Sequence, residues 1–254
     1  MAAIIVIPAR LASTRLPNKP LLARTGKYLI QHVYERACQC RQASAVIVAT
    51  DSPQIVAAVN SFGGQAVLTR ADHPCGTDRV AEVARKYPAD IVVNLQGDEP
   101  LVEPAALDRV IELLHNEPTA RMATLATPIR SLAAWNNPAC VKVVVDDSGN
   151  ALYFSRSCIP YVRDGQPDLN ADPPMALQHV GLYAYRRDSL LAFAATPPGR
   201  LEQLEKLEQL RALSLGWRIQ VGLIAEPTIG VDTPEDYERF VTLYQQLHPS
   251  TRAA

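Results

Sequence analysis

The chain lacks the cysteine spacing of a disulfide framework or a zinc site. It has five cysteines, an odd number, and no C-x-x-C pair, whereas zinc and dithiol redox sites commonly use that pair. The cysteines are therefore interpreted as small core or loop residues: Cys38, Cys40, Cys75, Cys140 and Cys158.

Long apolar runs and an excess of charge are also missing. No apolar stretch approaches the roughly 20 residues that cross a bilayer, and an apolar strand stands where a signal peptide would be. We therefore expect a cytoplasmic protein with no membrane partner. The formal net charge of -1 argues against nucleic acid as the main partner, because duplex-binding domains are usually strongly basic.

Two glycine-rich phosphate motifs are absent. A G-x-G-x-x-G fingerprint would indicate a dinucleotide, and G-x-x-x-x-G-K-[ST] would bind phosphates through backbone amides; neither occurs. Cationic side chains would have to bind any phosphate instead.

The apolar pattern that is present predicts an α/β fold. Apolar runs typical of buried parallel strands occur at 4–7, 45–49 and 91–95. Segments with helical spacing alternate with them at 29–40, 54–62, 78–86 and 103–115. A short strand is predicted at 66–68. This alternation predicts a Rossmann-like, mostly parallel sheet.

The middle of the chain predicts an inserted antiparallel hairpin. Strands at 141–145 and 151–154 flank a turn-rich break at 146–150. Beyond it we expect a mobile loop at 165–174 and a frayed tail at 250–254. The remaining predicted elements are a strand at 181–185, a helix at 201–213 with a leucine stripe, and a strand at 219–224.

A polycationic loop follows the first strand. Arg10, Arg15 and Lys19 stand among Pro8, Pro17 and Pro20, and the prolines prevent a continuous helix. Single surface cations are usually only solvated. A set of three at the carboxyl end of a strand, where α/β folds bind their ligands, instead predicts a nucleoside triphosphate.

Two acidic residues follow later strands. Asp98 stands in Gly97-Asp98-Glu99-Pro100, where a turn alone would also favour Asp. Asp232 follows the predicted strand at 219–224. Because Mg²⁺ prefers hard oxygen ligands and keeps several waters, two carboxylates and phosphate oxygens are a sufficient site for it.

Seven segments, taken together, resemble one known family. They are PARLASTRLPNKP from residue 8, VATD from 48, TRADH from 69, QGDEP from 96, ALYFSR from 151, LEQLR from 207 and GVDTPED from 230. The chain is similar to the sugar nucleotidyltransferases, and within them to the cytidylyltransferases of 3-deoxy-manno-octulosonate (KDO). The resemblance implies transfer of CMP from CTP to KDO, which activates KDO for lipopolysaccharide synthesis.

The resemblance also implies roles for individual residues. Mg²⁺ would be held by Asp98 and Asp232, while Arg10, Arg15 and Lys19 stabilise the leaving pyrophosphate. The implied nucleotide-binding residues are these three cations, Asp98, and Ala9, Thr77, Arg79 and Gln96. The implied sugar-acid residues are Gln96, Arg156, His179, Tyr183, Glu208 and Gln209.

Several of these residues have an ordinary structural interpretation. His179 could be a core histidine, Glu208 a solvated helix charge, and Gln96 and Arg79 structural polar groups. Cys75 replaces a serine that is usual in the family, Gln178 replaces an arginine, and Asp78 replaces a frequent glutamate.

Other functions remain open at this point. The acceptor could be a sialic acid or 8-amino-KDO, or the chain could be a non-catalytic nucleotide-binding module. We expect a single domain over 1–254, with a nucleotide-binding half at about 1–135 and a sugar-binding and dimerisation portion at about 136–220. Apolar alternation in the hairpin suggests a homodimer.

Overall fold

The computed structural model describes residues 1–12, 15–226 and 230–248. The tail predicted to fray, 250–254, lies outside them. Contacts divide the described chain into two compact units. The first unit contains residues 2–108 and 230–248, and the second contains 109–226 together with Met1. The predicted division at about residue 135 stays a prediction.

The first unit contains four parallel strands in the order β3-β2-β1-β4. The strands are β1 Ala3–Ala9, β2 Ala43–Thr50, β3 Ala66–Leu68 and β4 Ile91–Asn94. Strand β1 is central because its residues are almost entirely apolar and buried, as strands covered on both faces require. The parallel strands predicted from the apolar runs are confirmed.

Helices connect these strands, as the alternation predicted. They are α1 Leu29–Ala37, α2 Pro53–Ser61, α3 Gly76–Lys86 and α4 Pro104–Asn116, the last of which contains the boundary between the units. Helix α2 starts where the Ser52 side chain accepts a hydrogen bond from Ile55 N. It ends before Gly63, whose φ of 78° is the left-handed conformation that glycine tolerates.

The second unit mixes strand directions. Its strands are β5 Met122–Pro128, β6 Lys142–Val145, β7 Ala151–Ser155, β8 Leu177–Arg186 and β9 Ile219–Leu223. Strands β6 and β7 form the predicted antiparallel hairpin. The sequence analysis missed β5, which pairs with β8 antiparallel and with β9 parallel.

The single helix predicted at 201–213 is wrong. Two helices precede this segment, α5 Leu132–Asn136 and α6 Arg187–Ala195. The segment itself forms two short helices, α7 Arg200–Glu205 and α8 Gln209–Ser214. Lys206 lies between α7 and α8 with φ 55° and ψ 46°, which a right-handed helix cannot contain. Only part of the leucine stripe is core, because Leu204 is 69% exposed and Leu210 is fully buried.

The backbone at Lys206 supports a stability prediction. A left-handed conformation costs a residue with a Cβ about 1–2 kcal/mol, and glycine almost nothing. Lys206→Gly should therefore raise the melting temperature by a few degrees, and Lys206→Val should lower it. Circular dichroism measures both changes. Gln203→Gly is the control within α7 and should lower the melting temperature, since glycine is a poor helix former; a drop for Lys206→Gly would contradict the prediction.

The last helix is α9 Pro234–Leu247, which the sequence analysis did not predict. Its Tyr237, Phe240 and Val241 pack with Leu29 and Val231 in one buried cluster. This cluster fixes the segment that bears Asp232 against α1. Among the described helices, none combines the length and apolar character needed to cross a membrane.

Candidate active site

Asp98 lies in the turn that follows β4. A Cβ added to Gly97 would lie 2.8 Å from the carbonyl oxygen of Pro8 at the end of β1. Only glycine allows the two loops to approach this closely. The turn therefore brings Asp98 to the carboxyl end of the parallel strands, where α/β folds bind ligands.

Asp232 is positioned by the start of α9. Thr233 and Asp236 form a reciprocal capping box, and the Asp236 carboxylate also accepts a hydrogen bond from Asp232 N. The next residue back, Val231, is fully buried and donates its N–H to the carbonyl oxygen of Asp98 at 2.8 Å. This backbone bond joins the two segments that carry the carboxylates.

Lys19 joins both carboxylates. Its Nζ lies 2.7 Å from Asp98 Oδ2 and 3.0 Å from Asp232 Oδ1. Arg15 Nη2 lies 3.2 Å from the other oxygen of Asp232. Lys19 belongs to a short 3₁₀ turn, Lys19–Leu21, which follows Asn18 in a left-handed conformation. The first unit thus places two cations and two anions of the candidate site around one point.

The charges at this point nearly balance in the protein alone. Lys19 is the least exposed of the four side chains, at 15%, and Asp232 is the most exposed carboxylate, at 47%. Arg10 is exposed. A polyanionic ligand would therefore find one exposed guanidinium, and two further cations that it must draw from the carboxylates.

The two carboxylates fit a magnesium ion. No group of three or more His, Cys, Asp or Glu side chains in the described chain is placed to hold a metal. Mg²⁺ does not need such a group, since one or two carboxylates with waters and phosphate oxygens suffice. Both carboxylates reach one ammonium nitrogen within 3.0 Å, so both can also reach one cation.

The residues predicted near the base lie in the same unit but differ in role. Arg79 is buried and bonded to Thr69 Oγ1, Arg70 O and Asp51 Oδ2, so its structural interpretation is favoured. The Gln96 side chain bonds Asn94 Oδ1 at 3.4 Å, and Asn94 Nδ2 in turn bonds Thr77 Oγ1. This hydrogen-bond network from Thr77 through Asn94 to Gln96 can orient the Gln96 side chain toward a ligand. Ala9 ends β1 and is buried.

His179 lies on β8 in the second unit. Its Nε2 is 3.0 Å from Thr124 Oγ1, whose hydroxyl lies 2.9 Å from the carbonyl oxygen of Leu182. The hydroxyl hydrogen can thus go to that carbonyl, and the imidazole Nε2–H can then donate to Oγ1. Burial lowers the pKa of His179 to about 3, so the ring is neutral at physiological pH.

Tyr183 and Gln209 lie beside His179. The rings of His179 and Tyr183 are 5.3 Å apart between centroids, and the Tyr183 hydroxyl donates to Gln209 Oε1 at 3.1 Å. The Gln209 Nε2 is buried and has no acceptor among the described residues. A buried amide donor without an acceptor is costly, so a polar ligand is expected to accept from it. Glu208 is half-buried at the start of α8.

Arg156 lies at the end of β7, in the same unit. Its Nε and Nη1 donate to backbone carbonyl oxygens. A guanidinium has five N–H donors, so the remaining three have no acceptor in the described part of the chain. Arg156 can still bind a carboxylate through its outer nitrogens.

Comparison with known proteins decides the family. The model of the cytidylyltransferase family matches residues 4–219. A protein of Syntrophobacter fumaroxidans named 3-deoxy-manno-octulosonate cytidylyltransferase is 53% identical over 249 residues, which cover 97% of this chain and 98% of that one. A protein of the same name from Rhodopirellula baltica is 51% identical, with coverage of 94% and 97%. The chain belongs to the cytidylyltransferase family.

Solved structures agree with this assignment. A CMP:2-keto-3-deoxy-manno-octonic acid synthetase complexed with CTP superposes with a TM-score of 0.91 at 47% identity, covering 97% of this chain and 100% of that chain. A nucleotidyl transferase from Methanothermobacter superposes at 0.63 with 15% identity, which supports the fold alone. The predicted family and the Rossmann-like α/β fold are therefore confirmed.

The sequence analysis missed several residues that bond to the candidate site residues. Thr233 and Asp236 position Asp232, and the Thr-Pro-Glu-Asp spelling was a readable capping signal. Thr124 is the partner of His179, and Glu205 bonds Arg156. No local pattern identifies these last two, because their partners are distant in sequence.

The loop cations support a kinetic prediction. Arg15→Ala should raise the KM for CTP and lower kcat, because charge on the leaving group grows in the transition state. Arg15→Lys should restore only part of the loss, since lysine lacks the planar fork of donors. Steady-state pyrophosphate release measures both constants. Unchanged constants in Arg15→Ala would mean that this side chain, which is 66% exposed, is only solvated.

Proposed function

We propose that this protein transfers CMP from CTP to the anomeric hydroxyl of KDO and releases pyrophosphate. The convergence of Asp98, Asp232, Lys19 and Arg15 at one point supports a phosphate site in which the metal and the loop cations act together. The relatives that carry the KDO cytidylyltransferase name cover nearly the whole chain. This breadth supports the choice of substrates.

The reaction needs no nucleophile from the protein. The anomeric oxygen of KDO forms a bond to the α-phosphorus of CTP, the bond from that phosphorus to the bridging oxygen breaks, and the hydroxyl proton passes to solvent water. Pyrophosphate departs with the electron pair. Catalysis of such a transfer is positioning and charge neutralisation.

The first unit supplies the charges. Arg10, Arg15 and Lys19 bind the triphosphate and neutralise the pyrophosphate as it leaves. Asp98 and Asp232 would hold Mg²⁺, which when bound lowers the pKa of the attacking hydroxyl and neutralises phosphate charge. With the carboxylates of Asp98 and Asp232 engaged by the ion, Lys19 and Arg15 would be free to turn to phosphate oxygens. The same carboxylates that engage the cations in the protein alone would thereby release them.

The nucleotide base and the sugar acid are assigned to different residues. Ala9, Thr77 and Gln96 border the base, while Arg79 holds the neighbouring segment through its bonds to Thr69, Arg70 and Asp51. Arg156 binds the carboxylate of the acceptor. His179, Tyr183, Glu208 and Gln209 bind its hydroxyl groups, with the buried amide of Gln209 as a donor. Gln96 remains a second candidate for the acceptor.

The cellular setting is proposed from chemistry and exposure. CTP is a cytoplasmic metabolite, so we place the enzyme in the cytoplasm, where its product would serve lipopolysaccharide synthesis. Leu152 and Leu204 are 60% and 69% exposed in the second unit, and such side chains are suited to a subunit contact. We propose a homodimer, which sedimentation or light scattering can test.

One assay tests the proposed function. Pyrophosphate release is followed with each of four nucleoside triphosphates against KDO, 8-amino-KDO and N-acetylneuraminate, with and without Mg²⁺. We expect a rate with CTP and KDO at least about tenfold above every other pair, and none without metal. A preference for another sugar acid would move the chain to a related cytidylyltransferase activity. No turnover with any pair would support a nucleotide-binding module.

A further inference from the structure

The carboxylate of Glu205 holds the backbone at Arg156. Glu205 Oε2 accepts from Arg156 N at 3.0 Å, and Oε1 accepts from Ser155 Oγ at 2.7 Å. Hydrogen bonds to a carboxylate are stronger than those between neutral groups. The two bonds from Ser155 and Arg156 therefore restrict rotation of the backbone at the end of β7. The direction in which the Arg156 side chain leaves β7 is therefore set in part by Glu205.

The main chain of Glu205 holds the guanidinium as well. Its carbonyl oxygen accepts from Arg156 Nε at 2.7 Å, and Pro138 O accepts from Nη1 at 3.1 Å. In a continuous helix the Glu205 carbonyl would accept from the N–H of Gln209, four residues later. The left-handed residue Lys206 ends α7 at Glu205 and frees this carbonyl for Arg156. The break between α7 and α8, which the leucine spacing did not predict, thus gives the Arg156 guanidinium a carbonyl acceptor.

Lys142 bonds the same segment through another atom. It is fully buried on β6, and its Nζ donates to Arg156 O at 3.1 Å and to Asn137 O at 2.8 Å. A buried ammonium normally has an acidic partner, but both of these acceptors are backbone carbonyl groups. The N–H, the carbonyl and the guanidinium of Arg156 are consequently all bonded to neighbouring residues.

We propose that Glu205 is a positioning residue for the acceptor: it fixes Arg156 so that the outer nitrogens of the guanidinium meet the carboxylate of the sugar acid. Lys142 supports the same residue through its carbonyl. This inference rests on the proposed function, since it concerns the affinity for KDO. It assigns roles to side chains that need not touch either substrate.

A double-mutant cycle tests the proposal. Glu205→Ala should raise the KM for KDO about tenfold while the KM for CTP changes less than about twofold. In an Arg156→Ala background the same Glu205 change should alter the KM for KDO less than about twofold, because the group that it positions is gone. A purely structural role would give equal factors in both backgrounds and would overturn the proposal.

Controls separate positioning from misfolding and from a wrong function. Asp188→Ala removes a carboxylate of α6 that is 97% exposed, and should change neither constant. Lys142→Met preserves the buried volume and should raise the KM for KDO severalfold at a normal KM for CTP; an unchanged value in this variant and in Glu205→Ala would refute the proposal. Absence of KDO turnover in the unmodified protein would instead refute the proposed function.

Discussion

Asp98→Asn and Asp232→Asn are each expected to lower kcat at least about 100-fold, the scale seen when one preorganised charge-stabilising group is lost. Asparagine has nearly the shape of aspartate but no charge, so affinity for Mg²⁺ falls. The fold should persist, because the backbone bond from Val231 N to Asp98 O does not involve either side chain. The loss is therefore expected in chemistry and not in stability.

Magnesium-dependent pyrophosphate release measures this effect, with thermal unfolding as the check on folding. Asp188→Asn is a matched control, since that carboxylate is 97% exposed and its one ion pair among the described residues is a 3.7 Å contact to Arg187. Raising the Mg²⁺ concentration should restore part of the activity of either site variant. A variant with the unmodified rate at low Mg²⁺ would remove its residue from the proposed metal site.

Arg156→Ala is expected to weaken binding of the sugar acid at least about tenfold and to leave binding of CTP nearly unchanged. A charge-assisted hydrogen-bonded pair contributes about 1.5–3 kcal/mol, and about 1.4 kcal/mol is a factor of ten. The guanidinium keeps three N–H donors for a ligand after its two backbone bonds. An outer-edge contact with a carboxylate is therefore available to it.

Calorimetric titration with CTP, and then with KDO, separates the two sites. Arg218→Ala serves as the control, because that arginine is exposed and its Nη1 donates to Thr119 Oγ1. Weaker CTP binding with unchanged KDO binding would place Arg156 beside the triphosphate. That outcome would also remove the basis for positioning by Glu205.

Local patterns predicted much of the fold. The near-continuous apolar character of β1, β2 and β4 predicted buried parallel strands, and the turn at 146–150 predicted the hairpin of β6 and β7. Each signal lies within one short segment, so it does not depend on distant residues. The same is true of the glycine stop after α2.

Other elements were not predictable from spacing in this way. The leucines at 201–213 have the same spacing whether the helix is continuous or broken. The break lies at Lys206, whose left-handed backbone conformation is not visible in the order of side chains. Strand β5 is stabilised as a strand by its pairing with β8 and β9. Tertiary context overrides local preference in both cases.

The sequence alone determined which groups are available: three loop cations, two acids after strands, and the polar side chains of the second unit. Only the tertiary structure decided which of them meet. Packing of α9 and the bond from Val231 to Asp98 bring two distant carboxylates to Lys19, and the end of α7 brings the Glu205 carbonyl to Arg156. These contacts depend on the three-dimensional packing of elements, because residues far apart in sequence have no periodicity in common.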